Sequence, residues 1–152
     1  VNKLDGRIFM VKGKTKEVVL LKDNLAFPNG IAFSFDGKNL FVCESAKNRI
    51  LKFDVNKNGT LINKTEFVVL PGGDPDGIAF DVKGNLYVAH FGTGHLFVIN
   101  KQGEIIQKIK TPGLKPTNVE FGGEDMKTLF LTEVQTNSLY KIRTKFTGLL
   151  LN

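Results

Sequence analysis

Two side chains with hard oxygen donors stand at matching points of a repeated phrase. Asn29 lies in FPNGIAF (27–33) and Asp76 in DPDGIAF (74–80). Either triplet alone makes a turn: Pro presets φ, Asn or Asp caps its own backbone, and Gly takes positive φ. Brought together, an amide oxygen and a carboxylate make part of a site for a hard divalent cation. A third copy, PTNVEF (116–121), puts Thr117 and Asn118 at the same point. The copies are 47 residues apart (29 to 76) and then 41 (76 to 117). The sequence offers no Ser-His-Asp set that this repeat would assemble, no cysteine cluster for zinc, and no phosphate-cradling Gly-rich loop before a helix.

The elements that must position these residues repeat as well. DGKNLFVCES (36–45) corresponds to KGNLYVAHF (83–91) and DMKTLFLTEV (125–134). RILKFD (49–54), HLFVIN (95–100) and SLYKIR (138–143) follow. A closing apolar run then appears three times, as TLINKTEFVVL (60–70), EIIQKIKT (104–111) and KFTGLLL (145–151). Four short strands per unit of just over forty residues, with Gly or Asn turns between them, are the mark of a β-propeller blade. GRIFMV (6–11) and KEVVLLK (16–22) read as the last two strands of an earlier blade. The expected fold is therefore all-β, a partial β-propeller with a partial blade at 1–22 and full blades at 23–70, 71–110 and 111–152. About three and a half blades are too few to close a ring, which normally takes four to eight.

Strands of a blade run antiparallel outward from the central channel. The connections into the innermost strand and between the second and third strands then open on one face. This gathers Asn29, Asp76, Thr117, Asn118, Glu44, His90 and Glu133 around one channel mouth. Asp36-Gly37 and Lys83-Gly84 fall on the opposite face as hairpin turns. His90 is a candidate substrate contact or proton shuttle, and His95, at the start of the third strand, is a weaker one.

The bulk composition excludes other classes. Hydrophobic residues make up 41% and charged residues 24% of 152 residues, enough for one packed domain. The net charge of +6 comes from 21 Lys and Arg spread along the chain. A nucleic-acid surface concentrates such charge on one element, and scattered edge lysines instead keep sheets from aggregating. Cys43, the single cysteine, sits in an apolar run and reads as a buried side chain. No apolar stretch approaches the ~20 residues of a membrane span. A soluble, cytoplasmic protein with no nucleic-acid or membrane partner is expected.

The ordered series FPNGIAFSFDGKNLFVCES…RILKFD, LPGGDPDGIAFDVKGNLYVAHFGTGHLFVI and PTNVEFGGEDMKTLFLTE…SLYKI resembles the SMP-30/gluconolactonase family over nearly the whole chain. The resemblance implies a six-bladed propeller that hydrolyses lactones at a divalent metal in its channel, with this chain as the C-terminal half. It places the family's metal-binding asparagine on Asn29, and on Asp76 its metal-binding aspartate and general base. Calcium is the first expectation for the metal, with Zn, Mg or Mn as alternatives. The family's third ligand, a glutamate of its first blade, has no counterpart here. The implied partners are a small-molecule lactone and a missing N-terminal half, or a second copy, to complete the ring. Glu44, His90, Thr117, Asn118 and Glu133 remain candidate substrate contacts. Two other readings stay open: a non-catalytic propeller used for binding, and a hydrolase like the paraoxonases or strictosidine synthases.

Overall fold

The computed structural model describes residues 3–150. It is all-β apart from one 3-10 turn, Ser45–Lys47. β1 (Gly6–Val11) and β2 (Val18–Leu25) form a two-stranded antiparallel sheet. β3 (Pro28–Phe33), β4 (Asn39–Glu44), β5 (Arg49–Val55) and β6 (Leu61–Val69) form a four-stranded sheet in chain order. β7 (Asp74–Phe80), β8 (Leu86–Phe91), β9 (His95–Ile99) and β10 (Ile105–Lys110) form another. β11 (Pro116–Gly122), β12 (Thr128–Glu133) and β13 (Ser138–Arg143) make a three-stranded sheet. All pairings are antiparallel, the meander of propeller blades.

The packing explains why the middle strands read as unbroken apolar runs. Successive side chains of a strand point to opposite faces. In β4, Leu40 and Val42 join a cluster with Ile8, Leu25 and Phe53 on one face. Phe41 and Cys43 join a cluster with Phe80, Val88 and Ile99 on the other. β8 divides in the same way: Leu86 and Val88 face the preceding sheet, whereas Tyr87 and Ala89 pack with Phe121, Leu129 and Leu131 of the next. Edge-to-face rings span the boundaries, Phe41 on Phe80 and Tyr87 on Phe121, each with centroids 5.0 Å apart. Such pairs add ~0.5–1.5 kcal/mol beyond their buried area. β12 alternates instead, with Leu129 and Leu131 buried and Phe130 on the open face.

Two boundaries differ from the sequence expectation. β2 begins at Val18 and extends to Leu25, because residues 12–17 turn (Lys16 has φ 59°) and Leu25 still pairs with Gly6 across two bulges. The closing run of the last unit is not a fourth strand. Thr144 N–H donates to the Lys127 carbonyl and Gly148 N–H to that of Met126. The segment then crosses to the neighbouring sheet, where Val82 N–H donates to the Thr147 carbonyl and Leu149 N–H to that of Phe80. Leu149 packs on the Phe41–Phe80 cluster, so these apolar residues staple two sheets together rather than extend one. Residues 1–2 and 151–152, the outer ends of the first and last expected blades, lie outside the described residues. Among the described residues no helix is long and apolar enough to cross a membrane.

Candidate functional site

Each innermost strand carries a register shift directly after its proline. In β3 the ladder passes from Pro28↔Glu44 to Ile31↔Val42, in β7 from Pro75↔His90 to Ile78↔Val88, and in β11 from Pro116↔Glu133 to Asn118↔Thr132. The surplus residues include Asn29, Asp76 and Thr117. A bulge releases its extra residue from the ladder and re-aims the side chain. Here three bulges at one level aim side chains into a shared cavity of about 530 Å³, bounded by Asn29, Asp76, Thr117, Asn118 and Glu120.

Glycine allows the innermost strands to come this close. A Cβ on Gly30 would collide with the Asp76 carbonyl oxygen, and one on Gly77 with the Asn118 side chain. The PNG and PDG phrases therefore do two jobs: the second residue faces the cavity, and the glycine lets the next strand approach. The loop ahead of Asp76 is tied down from the neighbouring blade. Ser45 Oγ donates to the Pro75 carbonyl at 2.6 Å. The Asn48 amide, oriented by its partners, donates to the Gly73 carbonyl and to Asp74.

Asp76 is half-buried, and burial is the main reason its carboxyl is pushed up to about 6. The Asn29 side chain beside it holds it down, while the charge of Asp74 adds to the rise. A carboxylate raised in this way is favoured by any cation placed beside it. Asn29 and Asp76 together present hard oxygens, a donor set that fits calcium or magnesium. Among the described residues, no three His, Cys, Asp or Glu side chains gather as a metal cage. Thr117 and Asn118 border the same cavity, and the Thr117 hydroxyl is hydrogen-bonded to that of Thr132 at 2.8 Å.

Glu44, His90 and Glu133 do not reach the cavity, contrary to the expectation that they open on the channel. All three are buried. Glu44 accepts from the Ala26 N–H at 2.8 Å and from Arg49 Nε at 2.6 Å. Glu133 accepts from the backbone N–H groups of Lys115, Gln135 and Thr136 and from the Thr136 hydroxyl. Burial pushes both carboxyls up, but these donors outweigh it and hold them below the usual range. Each glutamate thus fastens the segment leading into its innermost strand. In the middle blade His90 takes that place, with Nδ1 3.2 Å from the Thr93 hydroxyl and its ring 4.5 Å from that of Phe97. Burial, then His95 and Lys108, push His90 down to about 4. His95 Nδ1 lies 2.7 Å from the Thr93 carbonyl, within its own turn. Cys43 is buried, and its thiol is pushed up by burial and by the charge of Asp76, as expected of an unreactive side chain.

Glu120 was not anticipated. It follows Asn118 by two positions in β11, so it shares the cavity face. That alternation was legible once the strand was placed.

The SMP-30/Gluconolactonase/LRE-like region matches residues 1–135. The chain is 30% identical over 135 residues to a 6-deoxy-6-sulfogluconolactonase of Pseudomonas putida, covering 87% of this chain and 46% of that protein. It is 33% identical over 130 residues to a diisopropyl-fluorophosphatase of Loligo vulgaris, covering 80% and 41%. It superposes on a calcium-binding regucalcin of Agrobacterium tumefaciens with a TM-score of 0.86 at 22% identity, over 95% of this chain and 54% of that one, a likeness of fold. The chain thus spans less than half the length of these two relatives.

Proposed function

Because the chain belongs to the SMP-30/gluconolactonase/LRE-like family, we propose that it contributes the Asn29–Asp76 side of a metal-dependent lactonase site. The observation that carries this reading is the matched pair of bulges that sets Asn29 beside Asp76 at one cavity. Asn29 and Asp76 would hold the divalent cation, calcium first by donor type. Bound there, the ion supplies Lewis acidity toward a lactone carbonyl. Asp76 is ionised at neutral pH, the more firmly with a cation beside it, and its carboxylate can accept a proton. In the reaction a water oxygen bonds to the carbonyl carbon and the ring C–O bond breaks. The water proton taken by Asp76 passes to the departing ring oxygen, leaving a hydroxy acid. Thr117, Asn118 and Glu120 offer polar contacts to the hydroxyls of a sugar lactone.

The outer face of β1–β2, with Phe9, Val11, Val18 and Leu20 exposed, supports further blades packed there, from the same polypeptide or from a second copy. The reading is tested by following hydrolysis of D-glucono-1,5-lactone by the assembled protein. Activity should require calcium or another divalent ion and fall at least a hundredfold in Asp76→Asn, the loss typical of a general base. Full activity in that variant overturns the assignment. Calcium binding without turnover of any lactone would favour a binding propeller instead.

A further inference from the structure

The face opposite the channel mouth carries a second recess, between the β3–β6 and β7–β10 sheets, with a volume of about 350 Å³. Both bounding sheets have all four strands, so the recess owes nothing to the open outer faces at the two ends. Its floor is a ring cluster: Phe41 meets Phe67 at 5.0 Å and 81°, and Phe80 at 5.0 Å and 68°. Phe35 and Val82 stand at its sides, exposed, on the hairpin turns of neighbouring blades. It lies away from Asn29 and Asp76, and it does not depend on the lactonase reading.

Two lysines line this apolar floor, Lys52 from β5 and Lys101 from the turn between β9 and β10. Among the described residues neither forms an ion pair. The aliphatic stem of Lys101 is pressed against Gly84, where a Cβ would overlap its Cε. The one acid lining the recess, Asp36, is already matched: it accepts from the Ser34 hydroxyl at 2.7 Å and the Lys38 N–H at 3.1 Å, with Lys38 Nζ 3.9 Å away. What is left without a counterpart is positive charge beside aromatic surface.

We propose that this recess is a binding site for a small aromatic carboxylate, its ring against Phe41, Phe67 and Phe80 and its carboxylate met by Lys52 and Lys101. The volume is near the ~300 Å³ lower end for ligand pockets, which suits a single ring on a short chain. An apolar floor with a few placed polar groups gives such a ligand both affinity and orientation. A neutral ring would gain only the first.

Titration of the isotope-labelled protein with 3-phenylpropionate, followed by amide chemical shifts, tests this. Saturable shifts are expected at Lys52, Phe67, Gly84 and Lys101. The Lys52→Gln/Lys101→Gln double variant should bind about tenfold more weakly. The neutral 3-phenylpropanamide should bind the unaltered protein weakly to a similar degree. Phe35→Ala, at an exposed turn that leaves the folded core untouched, should also weaken binding. The proposal is overturned if shifts do not saturate, if they map to the outer face of β1–β2, if the amide binds as well as the acid, or if the lysine variant binds unchanged.

Discussion

The Asn118 side chain lies over the Cα of Gly77, in the volume that a Cβ at residue 77 would occupy. Asp76 therefore keeps its place because the residue after it has no side chain. Gly77→Ala should force β7 and β11 apart, at an overpacking cost of ~1–3 kcal/mol. Because the strain falls beside Asp76, calcium affinity should drop together with the melting temperature. Calorimetry and thermal denaturation of the same variant check both. A variant with unaltered affinity and stability would show that the strands tolerate a wider spacing.

Asp76 itself gives the sharpest expectation. In the assembled protein, Asp76→Ala should weaken calcium binding at least tenfold, about 1.4 kcal/mol. Asn29→Ala should weaken it less, since a neutral amide oxygen is a poorer donor than a carboxylate. Isothermal titration with calcium measures both, and equal affinities across the three proteins would remove this pair as the ligands.

Glu44 predicts the opposite pattern. Its carboxylate answers the Ala26 N–H and Arg49 inside the protein. Glu44→Ala leaves that buried N–H without an acceptor, which costs ~1–3 kcal/mol. Glu44→Gln, which keeps one acceptor oxygen, should cost less. Urea denaturation should separate the two variants, whereas calcium affinity in the folded fraction should be unchanged in both. A loss of affinity without loss of stability would return Glu44 to the channel.

These contrasts mark what the chain disclosed before folding. The repeated phrases gave the strand order within the two four-stranded sheets and the shared level of Asn29, Asp76 and Thr117, because hydrophobic period and turn chemistry are local. Strand counting also puts Glu44, His90 and Glu133 at the correct end of the sheet. It cannot say where their side chains turn. That is decided by unpaired backbone donors, the N–H groups of Ala26 and Lys115, which come close only in the folded protein and capture the nearest carboxylates. The closing apolar run shows the same limit over its described residues, 145–150: the pattern suits a strand, yet Gly148 passes so close to Phe121 that the segment lies across the sheets instead.

His90 supplies a pH dependence. Its folded-state value is pushed down to about 4, from 6.5 when unfolded, chiefly by burial. Between those values the unfolded chain binds a proton that the folded chain does not, so stability falls as pH falls from about 6.5 to about 4. The loss should approach ~2 kcal/mol after allowance for solvent screening. Asp76, raised from 3.8 to about 6, takes up its proton first in the folded chain and opposes this loss over much of the same window. The His90 contribution is therefore read as a difference: relative to His90→Gln, the denaturation midpoint of the unaltered protein should fall progressively from about pH 6.5 to about pH 4. An identical slope in the variant would assign the acid sensitivity to other groups.

The last expectation concerns the open faces. On β1–β2, Phe9, Val11, Val18 and Leu20 project outward, and Ile31 and Phe33 of β3 are also exposed. At the other end Phe130, Val134 and Leu139 do the same. Single exposed apolar residues are ordinary, but contiguous sets on flat strands are association surfaces. Burial of such a face contributes ~25 cal/mol per Å², so a few hundred Å² is worth several kcal/mol, comparable with the ~5–15 kcal/mol that holds a domain together. The isolated 152-residue chain should therefore self-associate at micromolar concentration. Replacing Phe9 and Leu20 with Lys should reduce this without lowering the cohesion of the inner sheets, since neither residue belongs to a buried cluster. Light scattering across a concentration series decides the matter. A monomer that stays soluble and unassociated at high concentration would mean that these faces are stable in water and need no further blades.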